Sequence, residues 1–124
     1  MSTLIPDFNN LSPYKKRLEI IQLTAEQLIK DFGLHGLKVE FSGNEESAYE
    51  ELFSQVKPII VELLHKNPSK LSSLLYSIDL SETKVRKILG GKTDFPEEEL
   101  TEMILERELQ KVVIRKYFQK MNKG

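Results

Sequence analysis

The feature that most constrains this chain is its last long segment, residues 96–121, which predicts one helix with apolar side chains around most of its circumference. Its polar residues share one narrow stripe at i, i+3 and i+4 spacing: Glu108, Lys111, Arg115 and Gln119. Most of the remaining positions are apolar: Leu105, Leu109, Val112, Val113, Ile114, Tyr117, Phe118 and Met121. A helix on a single core needs an apolar stripe of somewhat over about 100°, and this arc is roughly twice as wide. The segment is therefore expected to be buried inside its own domain or shared with a second molecule.

This surplus of apolar surface supports the leading functional hypothesis, a small non-enzymatic helical module for protein–protein interaction, including self-association. The partner would be another protein or a second copy, and the interface would be the C-terminal helix. The candidate interface residues lie on its apolar arc: Leu109, Val113, Tyr117, Phe118 and Met121. Since a helix can also bury such an arc in its own core, intramolecular packing is the alternative.

Composition limits the class of protein. A chain of 124 residues with 40% apolar residues suffices for one domain, expected over residues 12–121 after an irregular arm at 1–11. The net charge of −1 argues against a protein that coats nucleic acid or acidic membranes. Cysteine is absent, which excludes disulfides and thiolate sites. No apolar run predicts a signal peptide or a membrane span, so the expected location is cytoplasmic, with no membrane partner.

Charge is unevenly distributed along the chain. Residues 109–124 contain five basic side chains and no acidic one: Lys111, Arg115, Lys116, Lys120 and Lys123. Positive charge near a helix C-terminus complements the helix dipole, which explains the pattern without a ligand. The alternative interpretation is a tail that binds phosphates or an acidic partner.

The remaining pattern predicts an all-α fold, an irregular orthogonal bundle of about five helices. Ser12 and Pro13 have the residue types of a helix start, and Gly33 is the expected left-handed cap of that first helix. A second helix over residues 45–66 contains Pro58, where the unchanged apolar phase favours a kink over a break. Two short helices follow, starting near Ser69 and Ser81, before the long final helix.

The alternation of apolar and charged residues over residues 37–41 is typical of a short strand. One strand cannot satisfy its own hydrogen bonds, and the chain offers no second convincing strand. The segment is therefore expected to be an extended connector, with pairing to the arm near residues 3–5 or to a second copy as the alternatives.

Residues 71–92, LSSLLYSIDLSETKVRKILGGK, resemble a helix-turn-helix. The framework apolar positions of that motif are occupied by Leu74, Ile78, Leu80, Val85 and Ile88. Two positions depart from the pattern, because Asp79 stands where glycine is usual and Leu75 where a small residue is usual. The resemblance implies that the second helix would face a DNA major groove with Glu82, Thr83, Lys84, Arg86 and Lys87.

The alternative function is therefore a DNA-binding or regulatory protein that uses this segment and the basic tail. Its candidate nucleic-acid contacts are Lys84, Arg86, Lys87, Lys116 and Lys120. The competing interpretation is that these are simply core helices, since the apolar spacing suits any crossed helix pair.

No catalytic, cofactor or metal site is predicted, and the chain is not expected to be an enzyme. The Gly91-Lys92 step lacks the earlier glycine of a phosphate-binding loop, since Arg86 stands at that position. His35 and His65 have no partner at the helical spacing of metal ligands.

Two further runs carry a family resemblance: LLYSIDLSETKVRKILGG at 74–91 and ILERELQKVVIRKYF at 104–118. Together they resemble a family of short, uncharacterised all-helical bacterial proteins, over a stretch reaching from Phe32 to Phe118. The resemblance implies a stand-alone helical domain and brings no activity or site residue with it.

Overall fold

The computed structural model describes residues 17–123, with the side chains of residue 92 and residues 120–123 outside the description. Within this range the chain forms five α-helices and no strand, so the predicted all-α bundle is confirmed. The helices are α1 (Leu18–Gly33), α2 (Ala48–Lys66), α3 (Pro68–Ile78), α4 (Glu82–Lys87) and α5 (Pro96–Lys123). A 3₁₀ turn, Glu45–Ser47, leads into α2, and a π-type turn, Ile88–Lys92, follows α4.

The structure tests the predicted end of α1 but not its predicted start. Its expected start at Ser12 and Pro13 lies outside the described residues. At the other end Gly33 is the last residue of α1 and not its left-handed cap, because its φ is not positive, and Leu34 after it also keeps right-handed helical angles. The positive φ of 72° belongs to Gly36, and the N–H of Leu37 then donates to the carbonyl of Phe32 at 3.0 Å. The last turn thus continues past Gly33 before glycine closes it.

The segment over residues 37–41 is an extended connector, as expected. Both backbone polar groups of Glu40 are satisfied by the side chain of Gln55 in α2. The Glu40 N–H donates to Gln55 Oε1 at 2.9 Å, and Gln55 Nε2 donates to the Glu40 carbonyl at 2.6 Å. The alternation in the sequence reflects burial of Val39 between the exposed side chains of Lys38 and Glu40.

Pro58 lies inside α2, which continues through it without a break. The buried residues of this helix keep one face from its start to its end: Ala48, Leu52, Val56, Ile60 and Leu63. Because packing along this face is uninterrupted, it offsets the backbone hydrogen bond that proline cannot donate.

The long helix α5 is central to the packing. It contacts α1, α2 and α3 as well as the π-type turn. Leu100 and Ile104 are completely buried in the main core, together with Leu28 and Phe32 of α1. Further along α5 a smaller cluster is formed by one residue of α1 and three of α5: Ile20, Leu109, Val112 and Val113. Among the described residues, no helix is both long and apolar enough to cross a membrane.

Candidate interaction surfaces

The structure divides the five candidate interface residues between core and surface. Leu109 and Val113 are buried, with 8% and 2% of their area exposed, because Ile20 and its neighbours in α1 cover them. Tyr117 is half-buried and Phe118 is 52% exposed. The side chain of Met121 lies outside the description. Most of the surplus apolar arc is therefore covered by the chain itself, and the exposed remainder lies at the end of α5.

We call residues 114–123 the C-terminal end. The rings of Tyr117 and Phe118 meet edge to face there, with centroids 5.3 Å apart. Lys116 forms an ion pair with Glu19 in the first turn of α1, and the adjacent Leu18 is 61% exposed. The C-terminal end thus combines an exposed aromatic ring with basic side chains, while Arg115 contacts Gln27 of α1.

The polar stripe of α5 is buried in part, at Glu108 and Lys111. Glu108 has no exposed area, and the Lys111 side chain is only 19% exposed. Lys111 Nζ lies 2.7 Å from Asp31 Oδ2 and 2.7 Å from Glu108 Oε1. Neither Glu108 oxygen accepts a well-directed hydrogen bond from the described residues. These three side chains, which we call the buried triad, lie where α1 covers α5.

Burial changes the protonation of the triad. The pKa of Glu108 is raised to about 8, first because burial disfavours the charged carboxylate and then because the Asp31 carboxylate lies beside it. Burial also acts to raise the pKa of Asp31, but contacts with Glu108, Lys111 and Gln27 outweigh it, and the pKa is lowered. The pKa of Lys111 is raised, since its two carboxylate partners outweigh the burial of its ammonium group. At neutral pH the triad therefore holds one ion pair and a mostly protonated Glu108.

A groove that sequence reasoning missed lies between α1, the start of α2 and the middle of α5. Its volume is about 340 Å³. Apolar side chains make up most of its lining: Ile21, Ala48, Tyr49, Leu52, Leu105 and Leu109. Four glutamates also line it: Glu45, Glu46, Glu50 and Glu106. We call this feature the acidic groove.

The electrostatics of the acidic groove are visible at Tyr49, whose side chain is 47% exposed. Burial raises the pKa of its hydroxyl, and the negative charges of Glu102, Glu106 and Glu50 raise it further. In the sequence the glutamates at the start of α2 indicated only a favourable helix dipole. Their approach to Glu106, more than fifty residues away in the chain, requires the packing of α2 on α5.

The helix-turn-helix-like segment has the expected pair of helices, α3 and α4. Asp79 adopts left-handed angles, φ 66° and ψ 47°, and thus takes the conformation that glycine usually provides. Its carboxylate accepts from Arg107 Nη2 at 3.1 Å, which ties the turn to α5. All five residues expected to face DNA are exposed: Glu82, Thr83, Lys84, Arg86 and Lys87.

The helix-turn-helix-like segment does not form a continuous basic surface with the C-terminal lysines. The helix α4 has only six residues, and Arg86 pairs with Glu82 at 3.2 Å. Lys116 belongs to a different contact, the one with Glu19 in α1. The side chain of Lys120 lies outside the description. Hence, of the five candidate nucleic-acid contacts, the structure groups only the three on α4.

Each of the two histidines has a polar side chain from another part of the chain beside its ring. His35 Nε2 lies 2.9 Å from Ser77 Oγ, and His65 Nε2 lies 3.6 Å from Glu97 Oε1. Gly91 has a φ of 85° in the π-type turn. In the part of the chain that the structure describes, no three His, Cys, Asp or Glu side chains are arranged to hold a metal ion.

Comparison with protein-family models, with curated proteins and with solved structures gives no match for this chain. The resemblance over residues 74–91 and 104–118 therefore stays a prediction.

Proposed function

We propose that the protein is a non-enzymatic helical module that binds protein, and that its C-terminal end mediates self-association. The observation that supports this is the 52% exposure of Phe118 on a helix whose earlier apolar residues Leu109, Val112 and Val113 are buried. The proposed surface is thus smaller than the interface predicted from the sequence, because Leu109 and Val113 are buried in the core. A cytoplasmic location is part of the proposal.

The aromatic ring of Phe118 would supply part of the free energy of association. Burial of apolar surface yields about 25 cal/mol per Å², and aromatic side chains are enriched at the centres of protein interfaces. Specific interfaces bury on the order of 1,000 Å² or more, however, which one ring cannot supply. The proposal therefore implies a weak, concentration-dependent association unless a larger surface of the second molecule is involved.

The test is the solution mass over a wide concentration range, by light scattering or sedimentation equilibrium. Wild-type protein is expected to associate, and Phe118→Ser is expected to remain monomeric. Phe95→Ser is the matched control, because Phe95 is a phenylalanine of similar exposure, 63%, that lies before α5. A wild-type chain that stays monomeric at every concentration would contradict self-association.

DNA binding through α3 and α4 is a second candidate, and the left-handed turn at Asp79 favours it. If Lys84 and Lys87 contact phosphates, binding should weaken with salt, each contact contributing about one unit of log–log slope. We expect Lys84→Ala/Lys87→Ala to reduce that slope by about two units. Failure of the wild type to retard any duplex at low salt would eliminate this candidate.

A further inference from the structure

The acidic groove and the C-terminal end have opposite charge, and both combine charged residues with apolar surface. Four glutamates line the groove. By sequence the C-terminal end carries four basic residues, Arg115, Lys116, Lys120 and Lys123, and no acidic one. Each feature also contains apolar surface, the floor of the groove in one case and the ring of Phe118 in the other.

We propose that the acidic groove of one copy receives the C-terminal end of α5 from a second copy. This inference rests on the proposed self-association and adds the surface that receives the helix end. It also supplies the contact area that the ring of Phe118 cannot provide by itself. The interaction is of the helix-in-groove type, in which apolar anchors at i, i+4 and i+7 enter an apolar channel. By sequence Ile114, Phe118 and Met121 have that spacing.

The occupant must come from another molecule, because α5 itself forms one wall of the groove. Leu105, Glu106 and Leu109 of α5 line it, and the same helix continues to Lys123. Nine residues of α-helix separate Leu109 from Phe118, a distance of about 14 Å along one straight rod. The ring therefore cannot fold back into the groove of its own chain.

The size of the groove is suitable for a helix end. Its volume of about 340 Å³ lies at the lower end of the range of roughly 300–1,000 Å³ for pockets that enclose a ligand. Such a volume accommodates an aromatic side chain and part of its neighbours. Because Arg115 and Lys116 contact Gln27 and Glu19 of their own chain, we assign the contacts at the rim to Lys120 and Lys123. Charge pairs at a rim contribute more to orientation and association rate than to affinity. The glutamates would thus set the direction in which the helix enters.

The arrangement has a defined stoichiometry. A contact between unlike surfaces gives a ring or an open chain unless two copies exchange it reciprocally. Two copies that each place their C-terminal end in the groove of the other fill both grooves and close as a dimer. The inference therefore predicts a dimer as the limiting species.

The test is a charge exchange between the two surfaces, read as the dimer dissociation constant by sedimentation. The groove variant Glu46→Lys/Glu106→Lys places two positive charges at residues that are exposed in the structure. The end variant Lys120→Glu/Lys123→Glu reverses two charges of the helix end. Each is expected to weaken the dimer about tenfold or more, whereas the variant with all four changes should recover most of the wild-type affinity.

A matched control is Glu26→Lys/Glu62→Lys, which makes the same change of charge at exposed residues outside the acidic groove. This control should leave the dissociation constant within about twofold of wild type. Circular dichroism of each variant establishes that it is folded before its mass is interpreted.

The outcomes separate this inference from the proposed function. If the end variant and Phe118→Ser weaken the dimer but the groove variant does not, the groove is not the receptor, although self-association through the C-terminal end stands. If the groove variant and the end variant both weaken the dimer, but the variant with all four substitutions does not recover affinity, the two surfaces do not meet. That result would overturn the inference. A strictly monomeric wild type would overturn both proposals, because each of them requires a second copy of the chain.

Discussion

The two parts of α5 both carry several large apolar side chains, but their surroundings differ. From Pro96 to Val113 the helix runs through the core, where α1, α2 and α3 cover it. Over residues 114–118 its apolar side chains are half-buried or exposed, and Phe118 presents half of its surface to solvent. The width of an apolar arc therefore does not reveal what covers it. Coverage depends on how far the neighbouring helices extend, and the first described turn of α1 lies beside Lys116.

The covered part of α5 should give the protein a strong dependence of stability on pH. Because the pKa of Glu108 is raised from 4.5 to about 8, the folded state binds more protons than the unfolded state between these values. The free energy of unfolding should therefore decrease as pH rises through this window, by on the order of 4 kcal/mol. Glu108→Gln should remove that slope in urea unfolding measured at several pH values.

The control for this prediction is Glu106→Gln, two residues away on the exposed side of α5. It should leave the pH profile unchanged. At lower pH Asp31 acts in the opposite sense, because its lowered pKa means that stability is lost as pH falls below 3.8. A flat wild-type profile from pH 4.5 to 8 would show that Glu108 is not enclosed as the structure has it.

Truncation of a buried side chain in the covered part of α5 should have the next largest effect on the free energy of unfolding. Ile104 has no exposed area and lies in the main cluster. We expect Ile104→Ala to reduce the free energy of unfolding by about 3 kcal/mol, through lost burial and the cavity left behind. Chemical denaturation gives this value directly. A loss below about 1 kcal/mol would mean that the neighbouring helices collapse onto the site and that the packing is looser than described.

Removal of the Lys111 cation from the buried triad should reduce the free energy of unfolding somewhat less than Ile104→Ala does. Lys111→Met leaves the buried Asp31 carboxylate with only Gln27 and the protonated Glu108 as partners. The expected loss is about 2 kcal/mol at neutral pH, below the usual cost of an unpaired buried charge because Glu108 can donate a proton. Lys111→Arg, which keeps the charge, is the control in the same denaturation measurement. Equal stability of Lys111→Met and wild type would show that the triad does not fasten α1 to α5.

The sequence predicted the parts of the fold that depend on local pattern. The five helices, the extended connector over residues 37–41 and the continuation of α2 through Pro58 all follow from apolar periodicity and strand pairing rules. The position of the left-handed residue after α1 was wrong, since Gly33 and Gly36 both have the right chemistry. Which of two nearby glycines closes a helix depends on how the following residues pack, and local pattern does not contain that information.

The surfaces could be predicted only in part, because they depend on contacts between distant segments. Glu108 lies on a polar stripe by sequence, but Asp31 on α1 makes that stripe a buried contact. The signal that could have indicated it is Asp31 itself, an acidic residue beside Leu28 and Phe32 in the apolar seam of α1. For the acidic groove the sequence gives no comparable signal, since its glutamates come from α5 and from the start of α2.

The exposed end of α5 should contribute little to the stability of the monomer. Because Phe118 is half exposed, Phe118→Ala should change the free energy of unfolding of the monomer by less than about 0.5 kcal/mol, as most surface substitutions do. Val113→Ala, at a residue that is 2% exposed on the same helix, should cost more than about 1 kcal/mol. Both are measured by urea denaturation at a concentration low enough to keep the chain monomeric. If Phe118→Ala costs as much as Val113→Ala, the helix end is covered within its own chain, and no exposed aromatic surface is left for a second copy to bind.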